Sequence, residues 1–583
     1  MLKTLGKQIK EFKRDSILTP CFMILEVIME TLIPLLMGSI INEGVEAGNM
    51  QHIYLMGGAM LVTALVSLYA GAMGGKYGAR ASTGFAKNLR EAMYENIQTF
   101  SFANIDKFST AGLVTRLTTD VSNLQNAYQM ILRMCIRAPF SLIIAMAASF
   151  FVSPRIASIY LIAVLILGTV LIIIMRFAMK YFSHLFEKYD ALNESTQENI
   201  SAARVVKAYV REDYEIDKFK KASGDVHDLG LKAEKMVILS SPFMQATVYI
   251  CILLISWVGA HMIVSEELQV GDLSTLLAYC MNILMNLMML SMVFVMITMS
   301  MASAKRVCEV LNEETTIKNP ENPVMEVKDG SIVFDHVTFR YNENSETPVL
   351  DDINLKIASG ETIGILGGTG SSKTSLVNLI SRLYDVSQGS VLVGGRDVRD
   401  YDLEVLRNQV SVVLQKNELF SGTILDNLRW GDESASEEDC VRACKMACAD
   451  EFIEKMPEGY NTRIEQGGTN VSGGQKQRLC IARALLKKPK VLILDDSTSA
   501  VDTATDAKIR KAFAEEIPGT TKLIIAQRIS SVMHADRIIV MNDGKVDDVG
   551  NHEELLGRNA IYREIYEAQT GGNRDFDENG GEH

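Results

Sequence analysis

VLILDDSTSAVD, residues 491–502, is the stretch on which the rest of the chain turns. Four apolar residues, Val491 to Leu494, run straight into two carboxylates, Asp495 and Asp496. A short apolar run ending in acids is the pattern of a strand buried on both faces, with its far end open on a metal and phosphate site.

Such a site needs a loop that can cradle phosphates, and ETIGILGGTGSSKTSLVNLI, residues 361–380, supplies one as strand, glycine-rich turn and helix. Gly367, Gly368, Thr369, Gly370, Ser371 and Ser372 form the turn, and Lys373, Thr374 and Ser375 open the helix. Glycines let backbone amides wrap closely round phosphate oxygens. Lys373 then reaches the terminal phosphates, Thr374 reaches Mg2+, and the helix lends its positive end. One position departs from the nucleotide-loop pattern. Ser372 stands where a glycine precedes the lysine, and its side chain tightens or displaces the last turn of the loop.

Gln415 follows a strand-like VSVVLQ and is suited either to ligate the metal or to touch the other half of the chain. In VSGGQKQRL, Ser472, Gly473, Gly474 and Gln475 open a helix. Small residues at a helix N-terminus make an anion site without a lysine, fitted to cap a phosphate held by another chain. Tyr341 ends the alternating SIVFDHVTFRY and is either a base-stacking ring or an edge-strand tyrosine.

The 583 residues exceed one domain, and 48% hydrophobic content averages two unlike halves. Residues 1–310 carry six apolar runs long enough to cross a bilayer, near 17–42, 53–80, 130–152, 156–182, 241–264 and 273–302. The basic, amphipathic start, MLKTLGKQIKEFKRDS, reads as an interfacial helix leading into the first of them. Residues 42–52 and 264–272 are acidic, whereas 76–116 and 180–235 are long and rich in Lys and Arg. The positive-inside rule places the long loops and the C-terminal half in the cytoplasm. Helical periodicity in the long loops predicts cytoplasmic helical extensions, with mechanical contacts to the soluble half near Ser109–Gly112 and Arg211–Tyr214. Residues 311–328, with Pro320 and Pro323, read as a linker, 329–569 as an α/β domain and 570–583 as a polar tail.

A net charge of −13 argues against binding nucleic acid through a basic surface. Nine scattered cysteines form no even framework, which favours free thiols. Cys440, Cys444 and Cys448 fall on one helix face and read as core rather than as a metal cage. Glu26 and Glu30 share a face of the first span. They are a candidate cation-attracting wall of a substrate cavity, or else structural carboxyls bonded to neighbouring helices. Arg133 and Arg137 are expected to snorkel towards the inner interface. Met281, Met285, Met288, Met289, Met292, Met296 and Met299 circle the sixth span and read mainly as packing or lipid contact.

Taken in order behind six spans, Tyr341, the Lys373 loop, Gln415, VSGGQ, VLILDD and SAVD resemble an ATP-binding cassette (ABC) exporter half-transporter of the bacterial multidrug and lipid-exporter type. The resemblance covers nearly the whole chain except the tail. It implies an all-α six-helix transmembrane domain of the type IV exporter fold followed by an α/β P-loop nucleotide-binding domain. It implies two cassettes head to tail, with ATP between the lysine loop of one and the VSGGQ motif of the other. It assigns Tyr341 to adenine, Thr374, Gln415 and Asp495 to Mg2+, and Asp502 to the dimer seam. Against that pattern Asp496 stands in the place of the catalytic glutamate and Gln527 in the place of the switch histidine. With Ser372, three departures fall on one nucleotide face, while VSGGQ, which serves the opposite site, is intact.

The expectation is therefore the degenerate subunit of a heterodimeric exporter of amphipathic drugs, lipids or peptides, multi-pass in a bacterial plasma membrane. The alternatives are a slow homodimeric exporter, or a nucleotide-gated channel or regulatory pseudo-transporter.

Overall fold

The computed structural model describes residues 1–343, 345–496 and 500–570. Ser497 to Ser499, the tail from 571 and the side chain of Met299 lie outside the described residues.

Among the described residues, six helices are long and apolar enough to cross a membrane: Lys10–Glu46, Met50–Gln98, Thr110–Val152, Pro154–Ser201, Glu212–Val264 and Val270–Asn312. Each contains one of the apolar runs. In hydrocarbon every backbone N–H and C=O must be bonded internally, and a helix does this within one segment. Several continue far beyond bilayer thickness. The second and fourth begin with helices of 49 and 48 residues, and a polar helix, Glu212–Ile238, precedes the fifth. Pro154 starts the fourth at a position where its missing N–H costs nothing.

Spans four to six share a core of Ile156, Tyr160, Ile255, Tyr279 and Ile283. Span six is also tied to span one. The Tyr279 hydroxyl donates to the Thr31 carbonyl at 2.6 Å and Thr275 to the Pro34 carbonyl at 2.8 Å.

The chain divides into two compact units. One holds Met1–Gln98 and Thr110–Glu313; the other holds the chain from Glu314 on together with Thr99–Ser109. Thr99–Ser109 was expected to belong to the 1–310 half. Instead its helix, Phe102–Phe108, packs within the second unit, and only Ser109 of the proposed contact Ser109–Gly112 falls there. The physical reason is a set of long-range bonds that periodicity does not register. Ser101 and Thr316 hydroxyls lie 2.7 Å apart, and Asn104 Nδ2 donates to the Glu314 carbonyl at 3.1 Å.

The second unit is built on a six-stranded sheet ordered Lys545–Gly550, Arg537–Asn542, Thr362–Gly367, Thr521–Ile525, Val491–Asp495 and Val410–Val413. All neighbours pair parallel except the outer 545–550 strand. Every residue of Val491–Asp495 is buried, as the uninterrupted apolar run required. A four-stranded sheet carries Ile332–Phe339 between Leu350–Ile357 and Gln388–Val393. Cys440, Cys444 and Cys448 are buried thiols, and no group of three metal-ligating side chains occurs among the described residues.

Glu361 and Arg537, at the starts of two adjacent strands, form a bidentate ion pair, one arm of which is 2.7 Å. The Arg537 guanidinium holds the Glu361 carboxyl below its usual range. A lowered folded-state pKa gives stability that is present above the unfolded value, near 4.5, and is lost as pH falls through the folded value. Glu361→Gln is expected to cost about 1 kcal/mol at pH 7, a cost that fades as pH falls below 4.5 and through the lowered folded value. Thermal unfolding of both forms across that range measures the difference.

Candidate functional site

The central strand Thr362–Gly367 delivers the chain into the glycine-rich turn, and the helix Lys373–Ile380 leaves it. Gly370 sits at φ +86°, where a side chain would be strained. Cβ atoms built at Gly368 or Gly370 would meet nothing within 4 Å, and both residues are exposed, so this part of the turn is open to an incoming group. Lys373 Nζ lies in the turn, donating to the carbonyls of Gly367 at 2.9 Å and Gly368 at 2.8 Å and to Ser371 Oγ at 3.2 Å. Burial pushes this ammonium down, and Asp495 and Asp496 pull it back up. An ammonium satisfied only by neutral oxygens is ready to exchange them for phosphate.

Ser372 takes φ +70°, ψ +25°. That is the left-handed conformation which costs a residue with Cβ about 1–2 kcal/mol, and it explains why a glycine is expected there. Ser372→Gly should therefore raise the stability of the intact chain by about 1 kcal/mol, read as a higher unfolding temperature. A lower one would show that the Ser372 side chain holds the turn.

Thr374 Oγ1 donates to Asp495 Oδ1 at 3.1 Å, which brings two hard oxygen donors together at the mouth of the sheet. Burial pushes both Asp495 and Asp496 up. Asp496, at φ +48°, turns its Oδ2 to Gln527, whose Nε2 donates at 2.9 Å. The two residues predicted to fill the catalytic places are thus bonded to each other. Gln415 is exposed just beyond Val410–Val413. Ser375 Oγ and Tyr341 Oη lie 2.9 Å apart, and Tyr341, half-exposed, packs edge-on against Phe339 and Tyr384.

Ser472 caps the helix Gly473–Leu486 with a reciprocal box: its Oγ accepts from the Gln475 amide at 3.3 Å and its own amide donates to Gln475 Oε1 at 2.9 Å. Ser472 and Gly473 are exposed, so this helix end faces outward. A Cβ on Gly474 would come within 2.8 Å of the Ala500 carbonyl oxygen, and Gln477 Oε1 accepts from the Ala500 amide at 3.0 Å. The signature helix and the segment leading to Asp502 are therefore one packed piece. Asp502 itself is exposed and caps Thr503–Glu516 through the Thr505 amide at 2.9 Å.

Tyr384 and Asp106 escaped the sequence reading. The Tyr384 hydroxyl donates to Asp106 Oδ2 at 2.7 Å, and its ring meets Phe102 and Tyr341 edge-on at 6.0 and 5.1 Å. Burial pushes this phenol up, so it remains a donor. No local pattern signals the pair, which is separated by 278 positions.

In the membrane half, Arg137 does not snorkel. It donates to Glu26 Oε1 at 3.0 Å and to Glu30 Oε2 at 2.9 Å, because two carboxylates one helical turn apart match the guanidinium fork. Separately, a cavity of about 640 Å³ opens between spans four and six, walled by Leu171, Met175, Met179, Leu287 and Phe294, with Arg176 on its lining. The methionines of span six that are described do not line it.

Comparison with known proteins agrees with this architecture. The family description "ABC transporter transmembrane region" matches residues 16–305, and "ABC transporter" matches residues 350–499. An uncharacterized ABC transporter ATP-binding protein of Bacillus subtilis, YfiB, is 36% identical over 94% of this chain and 95% of its own length. An ATP-dependent lipid A-core flippase of Desulfotalea psychrophila is 33% identical, covering 84% of this chain and 85% of the flippase. The solved structure of a bacterial Atm1-family ABC exporter with ATP bound superimposes with a TM-score of 0.82 at 22% identity, over 96% of this chain and 99% of that one. Six membrane helices, a P-loop sheet and full-length relatives place the chain in the ABC transporter family, as a multi-pass half-transporter of the type IV exporter fold.

Proposed function

We propose that this chain is one subunit of a heterodimeric, ATP-driven exporter of amphipathic compounds in a bacterial plasma membrane. Its own ATP site is kept for binding, and its VSGGQ motif completes the hydrolytic site of the partner half-transporter. The observation that carries this reading is the Asp496–Gln527 pair. The carboxylate in the place of the water-orienting base is bonded, 2.9 Å away, to a neutral amide donor that can neither take up a proton nor become charged.

In this reading Tyr341 stacks on adenine, and residues Gly367 to Ser375 wrap the phosphates, with Lys373 on the terminal ones. Thr374, Gln415 and Asp495 hold Mg2+, which when bound neutralises charge on the β- and γ-phosphates. Ser472 to Gln475 present a capped helix N-terminus to the partner's γ-phosphate, and Asp502 lies at the seam between cassettes. Binding draws the cassettes together, and the cytoplasmic helices carry that closure to the spans, turning them from inward to outward opening. Hydrolysis at the partner's site resets the pair.

The cavity between spans four and six, apolar with a single arginine on its lining, suits an amphipathic substrate. The relatives described as lipid A-core flippases support a lipid-like class. Glu26 and Glu30, proposed as a cation-attracting wall, share the single positive charge of Arg137, which favours the span-tying role between spans one and three.

Purified alone and reconstituted in lipid nanodiscs, the chain is expected to bind ATP yet hydrolyse it slowly. Addition of its partner half-transporter, carrying Glu and His at the equivalents of Asp496 and Gln527, restores turnover. Fast hydrolysis by the isolated chain that falls on Asp496→Asn would overturn the division of labour and favour a homodimer.

A further inference from the structure

The helix Ala560–Thr570 ends the described chain, and its penultimate residue reaches back into the site. Gln569 Oε1 accepts from the Ile529 amide at 2.8 Å, and Gln569 Nε2 donates to the Gln527 carbonyl at 2.8 Å. One bond needs an acceptor and the other a donor, so a carboxamide serves both while a carboxylate keeps only the first. The clamped backbone, residues 527–529, leaves the strand Thr521–Ile525 and enters the short turn Ile529–Ser531. Gln527, whose carbonyl is held, is also the residue whose side chain bonds Asp496. The helix that presents Gln569 is itself fixed. Tyr562 is fully buried with its hydroxyl 2.7 Å from His552 Nδ1, and Asn559 Oδ1 accepts from the Tyr562 amide at 2.8 Å.

We propose that Gln569 is a positioning residue for the nucleotide site: its amide clamps the 527–529 backbone so that the Gln527 side chain faces Asp496 and the terminal phosphate. The clamp comes from the C-terminal helix, outside every motif by which the site is read. This role rests on the reading of the Lys373 loop and Gln527 as an ATP site. A surface glutamine that merely satisfied stray backbone would leave nucleotide affinity unchanged when removed. A clamp acting through Gln527 would not, and its effect would vanish once Gln527 is gone.

The full-length chain in nanodiscs, with Gln569→Ala, Gln569→Glu, Gln527→Ala and the Gln569→Ala/Gln527→Ala pair, provides the test. The readouts are affinity for a fluorescent trinitrophenyl-ATP probe and hydrogen exchange of peptides covering residues 526–531. Gln569→Ala is expected to weaken binding about three- to tenfold and to speed exchange at the Ile529 amide about tenfold, with the unfolding temperature unmoved. Gln569→Glu, keeping one bond of two, falls between. In the Gln527→Ala background, Gln569→Ala weakens binding no further. An unmodified chain that binds the probe, with exchange and affinity unaltered by Gln569→Ala, overturns the clamp alone, as does an equal loss in both backgrounds. An unmodified chain that binds no nucleotide overturns the ATP-site reading and this role with it.

Discussion

Carrying Asp496→Glu together with Gln527→His, the purified chain is expected to hydrolyse ATP about a hundredfold faster than the unsubstituted form. Three features of the site set that size. Asp496 leaves the end of the Val491–Asp495 strand beside Asp495, and its carboxylate stops one methylene short of where a glutamate would hold water. A misplacement of about 1 Å costs on the order of a hundredfold, because the near-attack geometry is lost. Gln527 donates to Oδ2 of that carboxylate as a neutral group, whereas a histidine can carry charge at the γ-phosphate. On the proposed reading the VSGGQ helix needs no repair, since Ser472 already caps it and is exposed, so two copies of the doubly substituted chain would form two sites that depart from the family pattern only at Ser372. Phosphate release under saturating Mg-ATP measures the gain. Each single substitution is expected to give no more than about a tenth of the double, because the two groups act on the same water and phosphate. A gain of less than threefold by the double variant would show that the two positions are not what slows the site.

Asp120→Ala is expected to cost about 2–4 kcal/mol and to lower the unfolding temperature of the transporter by several degrees, the largest stability loss among these substitutions. Asp120 closes a π-helical turn, Arg116–Asp120, at the entrance to the third span and is fully buried. Its carboxylate accepts from Arg306 Nε at 2.7 Å, from Arg306 Nη2 at 2.5 Å and from Ser303 Oγ at 2.8 Å. Removing it takes the carboxylate from the guanidinium and the acceptor from the buried Ser303 hydroxyl, which keeps only the bond it accepts from Asn123 Nδ2 at 3.2 Å. Arg306 is 45% exposed and recovers part of its hydration, which keeps the cost below that of a wholly buried pair. Asp120→Asn, whose amide oxygen in the place of Oδ1 still accepts from Arg306 Nη2 and Ser303 Oγ, should lose about half as much. A cost below 1 kcal/mol for the alanine variant would mean that Arg306 and Ser303 find other partners.

What was legible in the residues follows the reach of each signal. Hydropathy over about 20 positions marks every span, because the bilayer imposes that length. The apolar run at Val491 and the glycines before Lys373 mark the sheet and its phosphate turn, because both depend on neighbours in sequence. The strain at Ser372 was foreseeable as a departure from glycine, and the left-handed backbone gives its physical cause. Pairings across distance were not legible. Arg137 lies 111 positions from Glu26, and snorkelling was the local default for an arginine near a span end. Gln569, read as the edge of a polar tail, sits 42 positions from the backbone it holds. The Tyr384–Asp106 bond, which draws Phe102–Phe108 into the soluble unit, spans the most sequence of the three.

That last separation sets an order of events during synthesis. The Phe102–Phe108 helix leaves the ribosome 278 residues ahead of Tyr384. At about 5–20 residues per second the wait is roughly fifteen seconds to a minute. Throughout it, Phe102 lacks the ring it packs on, and the stacked Phe100 and Phe108 lack the unit that buries them. A newborn chain therefore inserts its first spans before the unit that buries Phe100 and Phe108 has been made. Truncation before Tyr384, by a premature stop or a stalled ribosome, removes for good the ring that packs on Phe102 and the hydroxyl that donates to Asp106.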